Sequence, residues 1–194
     1  MSNDIEDESA QVERLISLFD AMFAERYCTR LVRGKDEPIY LPADAQHDHH
    51  RIIFAHGYFA SALHEISHWC VAGPARRQQE DFGYWYIPDG RSQQQQEVFE
   101  QAEVEPQAIE LLLTQACGRR FNVSVDNLNP DVEVDRDAFL EKVEARARER
   151  REYGLPVRVA VLCEALKLRF GQQRSEAEAL QAAHAIFAQR GTPP

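Results

Sequence analysis

Between Gly57 and Gly73-Pro74 runs Phe59-Ala-Ser-Ala-Leu-His-Glu-Ile-Ser-His-Trp-Cys-Val71, a stretch with no helix breaker that sets His64 and His68 four positions apart. A helix returns to nearly the same face after four residues, so both imidazoles can reach one metal ion, with Glu65 standing beside it. Gly73-Pro74 is a natural stop, which places the helix at about Phe59 to Val71. Ala62, Leu63, Ile66, Trp69 and Cys70 fill most of its remaining circumference, so the helix should be largely buried. Burial constrains fold and chemistry together. Two histidines in an interior need partners for their nitrogens, and one metal ion serves both. The alternative is that His-Glu-x-x-His also arises by chance on exposed helices that bind nothing.

The rest of the chain has room to build a core around this helix. Its 194 residues suit one domain, expected at 11–190, with residues 1–10 a disordered tail and 191–194 another. Leu15, Ile16, Phe19, Met22 and Phe23 recur at helical spacing from Val12 to about Tyr27. Short strands are expected at 29–33, 39–41 and 52–55, with Gly34, Pro38 and Pro42 as punctuation and the polar tract Gln46-His-Asp-His-His50 as an exposed loop. His56 ends the third strand just before the histidine helix, where it can face the same cavity; a hydrogen-bonded structural histidine fits equally well. Asp81-Phe-Gly-Tyr-Trp-Tyr-Ile-Pro-Asp-Gly90 looks like an aromatic strand and turn, with Tyr84 and Tyr86 on one face as core or cavity wall. A second apolar helix should open near Glu103, with Pro106 in its first turn, and end at Gly118. Phe121 to Val125 reads as a strand, and from Asp135 onward the pattern is helical, in segments 139–151, 157–170 and 175–190. The expected class is α+β, several helices packed around a small, mostly antiparallel sheet.

Charge and cysteine usage narrow the setting. The net charge of −10 disfavours direct binding to nucleic acid and favours a basic partner. Cys28, Cys70, Cys117 and Cys163 include no Cys-x-x-Cys pair, which argues against a zinc ribbon and fits thiols kept reduced as small apolar side chains. No apolar run approaches the roughly 20 residues that span a bilayer, and the acidic start differs from a secretory signal. A soluble, cytoplasmic, monomeric protein is expected.

Two histidines need a third ligand, commonly a carboxylate. Glu103, at the expected mouth of the second helix, is the first choice, with Glu100 and Glu105 as rivals and helix capping as the alternative role for all three. Such a set serves two chemistries. With zinc, a bound water is acidified and Glu65 acts as base in amide hydrolysis. With iron(II), open positions take dioxygen and a C–H bond is oxidised. No histidine is followed two positions on by an acidic residue, which removes the common 2-oxoglutarate oxygenase barrel. On spacing alone, zinc hydrolysis leads.

Longer strings reverse that order. Asp36-Glu-Pro-Ile-Tyr-Leu-Pro-Ala-Asp44, Phe54-Ala-His-Gly57, His64-Glu-Ile-Ser-His-Trp-Cys70, Asp81-Phe-Gly-Tyr-Trp-Tyr86 with Pro88-Asp-Gly-Arg91, Glu103-Val104, and Phe121-Asn-Val-Ser124 with Asp126-Asn-Leu128 resemble the elongation factor P hydroxylase family. The resemblance covers most of residues 12–170. It implies a non-haem iron(II) centre using dioxygen, although zinc or another divalent ion can occupy such a set, and a fold outside the 2-oxoglutarate barrel. It also implies hydroxylation of a lysine of elongation factor P after β-lysine has been attached. His64, His68 and Glu103 match the family's metal ligands, and Glu65 matches the glutamate beside them. Glu65 and Asp81 are then expected to help hold the substrate's ammonium groups, a structural role fitting Asp81 equally well, with Tyr84, Tyr86 and His56 lining the approach. The competing functions are a zinc peptidase and a non-catalytic binder of elongation factor P with a structural metal.

Overall fold

Leu15, Leu18, Phe19, Met22 and Phe23 recur every three or four residues and all are buried, which lays the first helix, α1 (Ser2–Tyr27), along the core. The structure, a computed structural model, describes residues 2–83, 90–125, 127, 129, 131, 132 and 134–191. Helix α1 begins at Ser2, well before the expected Val12. The acidic opening lacks an apolar rhythm, but Glu8 finds two partners across the fold. One of its oxygens accepts from the Phe59 amide at 3.1 Å, and the other meets Arg119 at 3.1 Å.

Three short strands follow: β1 (Thr29–Arg33), β2 (Ile39–Leu41) and β3 (His50–Phe54). Their order is β1-β3-β2, with β1 parallel to β3 and β2 antiparallel to it, so the sheet is mixed and not mostly antiparallel. Alternation within a strand tells which face is buried and nothing about its neighbour. Here β3 inserts between two strands that precede it in the chain. It begins two residues before the expected Ile52, which moves His50 out of the polar loop and onto the buried strand face, where its Nδ1 accepts from the Ala43 amide at 2.9 Å.

A tight 3-10 turn, Ala55–Gly57, joins β3 to α2 (Phe59–Val71), with His56 and Gly57 at φ of 52° and 70°. Helix α2 is held by its neighbours. Trp69, fully buried, packs edge-on against Phe19, Phe23 and Tyr27. At its C-terminal end the guanidinium of Arg158 donates to the carbonyls of Trp69, Cys70 and Ala72 at 2.8, 3.2 and 2.7 Å.

Asp81, Phe82 and Gly83 do not open a strand. They lie in a 3-10 turn, Glu80–Gly83, with three successive positive φ angles of 46°, 57° and 70° that no ladder accommodates. Tyr84 and Tyr86 fall outside the described residues. Helix α3 (Gln93–Ala116) starts ten residues ahead of Glu103. The glutamine run forms its first turn, fixed by a capping box between Ser92 and Gln95. Pro106 is therefore mid-helix and Glu103 is not at a helix mouth. Residues 121–125 join no strand: Ser124 and Val125 bond to the side chains of Gln107 and Gln96, and Val123 to Arg136.

The chain closes with α4 (Arg136–Tyr153), α5 (Val157–Leu166), a π turn at Lys167–Gly171, and α6 (Glu176–Arg190). One apolar cluster joins α1, the sheet, α2, the end of α3, α5 and α6; a second lies between α3, residues 123–125 and α4. The fold is α+β and mostly helical, and no helix among the described residues is long and apolar enough to cross a membrane.

Candidate metal centre

The four-residue spacing on α2 brings His64 and His68 together, with their Nε2 atoms 3.1 Å apart. Helix α3 packs across that face and presents Glu103, only 3% exposed. Its Oε1 is 3.3 Å from His68 Nε2 and its Oε2 3.9 Å from His64 Nε2. One donor atom from each of the three residues lies within 4.8 Å of the others. Two imidazoles and a carboxylate in a mostly buried setting are a donor set that suits a divalent transition metal. The rival acids are engaged elsewhere. Glu105 pairs with Arg146 and Arg150, and Glu100 lies 3.5 Å from Lys142.

Two buried side chains that sequence reasoning missed complete this arrangement. Glu110 places Oε2 2.8 Å from His64 Nδ1. Gln107 donates from Nε2 to Glu103 Oε2 at 3.1 Å and to the Ser124 carbonyl at 2.6 Å, and accepts from the Ser124 amide at 3.0 Å. Glu103, Gln107 and Glu110 stand four and three residues apart, on one face of α3. That spacing of polar side chains in a leucine-rich helix is the signal by which they are legible.

The electrostatics follow from this packing. Burial disfavours a charge on His64, but the hydrogen bond it donates to Glu110 and the carboxylates of Glu65, Glu110 and Glu103 outweigh it and push its pKa up to about 10. Burial takes His68 the other way, to about 4, with His64 adding to the fall and Glu103 opposing it. Glu110 thus favours the charged form of His64 and burial the neutral form of His68, and the two Nε2 atoms share one hydrogen bond. A metal ion would replace the proton between the two rings.

Glu65 sits on the same helix among these charges. Burial raises its pKa to about 7; His64 opposes the rise, while Glu103, Asp81 and Glu110 add to it. Among the described residues its carboxylate accepts no hydrogen bond. Asp81 is therefore close enough for its charge to act on Glu65, and it is fixed there by accepting the Tyr40 amide at 2.8 Å. His56 is exposed on its turn, its ring 5.9 Å from that of Tyr58, and it is not part of the histidine cluster.

Residues 18–180 match the sequence profile of a family described as elongation factor P hydroxylase. The chain is also 50% identical, over 159 residues, to the elongation factor P lysine hydroxylase of Haemophilus influenzae, an alignment covering 80% of this chain and 87% of that protein.

Proposed function

Because this chain belongs to the elongation factor P hydroxylase family, we propose that it hydroxylates a lysine of elongation factor P, at a non-haem iron(II) centre held by His64, His68 and Glu103. What carries this assignment is the convergence of those three side chains, from two helices, inside the matched region. Iron(II) held by two histidines and a carboxylate supplies oxidation of a C–H bond by dioxygen. One oxygen atom enters the substrate and the other leaves as water, drawing two electrons and two protons from an external reductant.

The chain's own residues set up that chemistry. Glu65 stands within electrostatic reach of Asp81, Glu103 and Glu110, four carboxyl groups in all, more than a divalent ion neutralises. The surplus suits a lysine that already carries β-lysine and so brings two ammonium groups. Glu65, poised near neutrality, holds one of them or passes a proton, and Asp81 holds the other from its rigid turn. As a modifier of a translation factor the protein works in the cytoplasm, as a monomer.

Mass spectrometry of lysylated elongation factor P, after iron loading under nitrogen and admission of oxygen with a reductant, tests the proposal. The expected result is a gain of one oxygen atom, absent with folded His64→Ala. No gain with any divalent metal, or cleavage of peptides by the zinc-loaded protein, overturns it. Asp81→Asn keeps the Tyr40 contact and tolerates the positive φ. It should raise KM for the lysylated factor at least several-fold with little change in kcat; an unchanged KM removes Asp81 from substrate binding.

A further inference from the structure

Given the metal function proposed above, we infer that Glu110 is the positioning residue that fixes the orientation and tautomer of His64. The Glu110 side chain is 10% exposed, and its Oε2 lies 2.8 Å from His64 Nδ1. A neutral imidazole has one donor nitrogen and one acceptor nitrogen. With Nδ1–H given to a carboxylate, the lone pair is left on Nε2, the atom that faces His68 and Glu103. Without that acceptor the ring has a second tautomer and a flipped orientation open to it; the first puts a proton on Nε2 and the second turns Nε2 away, and both take its lone pair from the cluster.

The arrangement is asymmetric. Among the described residues no carboxylate approaches His68 Nδ1, so the two histidines are not held alike. Glu110 also follows Glu103 by seven residues on α3, which means one rigid helix carries both the anionic ligand and the brace for the opposing histidine. A rotation of α3 against α2 moves the two together.

Glu110 further lines a cavity of about 270 Å³ shared with Phe59, Leu63, Thr114, Arg119 and Phe121. Space for water on that side means that shortening the side chain crowds nothing, and Glu110→Ala should fold.

Cobalt(II) binding to the apoprotein is the test, followed by competition titration and by the visible spectrum, with ¹⁵N NMR of the zinc-loaded, histidine-labelled protein reporting the tautomer. Glu110→Ala is expected to bind cobalt 10–100-fold more weakly, with an altered spectrum. Glu110→Gln, whose amide oxygen still accepts from Nδ1–H, should recover part of that loss. His64 in the zinc-loaded wild type should carry its proton on Nδ1. Cobalt affinity and spectrum unchanged in Glu110→Ala, or a proton on Nε2, overturn the inference; if the alanine variant fails to fold, the glutamine variant decides by the same two measurements. Failure of the wild type to bind cobalt overturns the metal assignment and this inference with it, whereas a metal-binding wild type matched by Glu110→Ala overturns the inference alone.

Discussion

Replacing Gln107 by leucine keeps the bulk of a side chain only 1% exposed and removes three hydrogen bonds at once. The bond to the Glu103 carboxylate is charge-assisted and contributes about 1.5–3 kcal/mol, and each amide–peptide bond to Ser124 about 1 kcal/mol. Ser124 is exposed, so water replaces part of its share, whereas Glu103 is buried and regains little. The expected loss in the metal-free protein is about 2–4 kcal/mol, read from urea denaturation near neutral pH. Thermal melting should show a fall in Tm of roughly 5–15 °C for a chain of this size. Gln107→Glu sharpens the test. It is nearly isosteric, yet it sets a second carboxylate against Glu103 Oε2 and the Ser124 carbonyl, so it should destabilise at least as much as leucine. A leucine variant within about 0.5 kcal/mol of wild type, or a glutamate variant as stable as wild type, would refute the view that the Gln107 hydrogen bonds hold Glu103 in place.

Two other perturbations probe the charged face and the packing of α2. The folded-state pKa of Glu65, raised to about 7 from an unfolded value near 4.5, favours the folded protein only while Glu65 is protonated. That contribution is complete below about pH 4.5 and is lost as pH rises through 7. Metal-free Glu65→Gln should therefore match wild type at acid pH and exceed it by roughly 3 kcal/mol at pH 8, and an advantage confined to acid pH would contradict this sign. Trp69→Ala should cost about 3–5 kcal/mol in equilibrium denaturation, because the fully buried indole packs on three aromatic rings; a cost below 1 kcal/mol would mean that the core collapses around the gap.

Spacing alone made α2 legible, since a histidine pair and an apolar face share one period. Glu103 was reached by a weaker route. The apolar pattern puts it at a helix mouth, but α3 starts at Gln93, because a glutamine turn has no apolar rhythm and only Ser92 and Gln95 mark the cap. Glu110 and Gln107 escape the sequence because a polar residue in a helix reads as solvated unless its partner is known, here His64 on α2 and Ser124 in the 121–125 segment. The apolar alternation of 121–125 resembles a strand because Val123 and Val125 are buried on either side of exposed Ser124, yet the backbone hydrogen bonds go to glutamine and arginine side chains. Sheet order was beyond reach for a related reason: pairing partners are set by which strand the fold brings alongside, not by the pattern within any strand.

The ends of α2 are tied by residues from opposite ends of the chain, Glu8 at Phe59 and Arg158 at the last carbonyls. A helix capped by its own neighbours in sequence can fray one turn at a time, while this one opens only if α1 and α5 let go. Its amide protons should thus exchange with solvent at the slow rate of global unfolding. A protease that clips the chain between Ser9 and Val12 would do more than trim a terminus, since it would release the first turn of the histidine-bearing helix to local exchange.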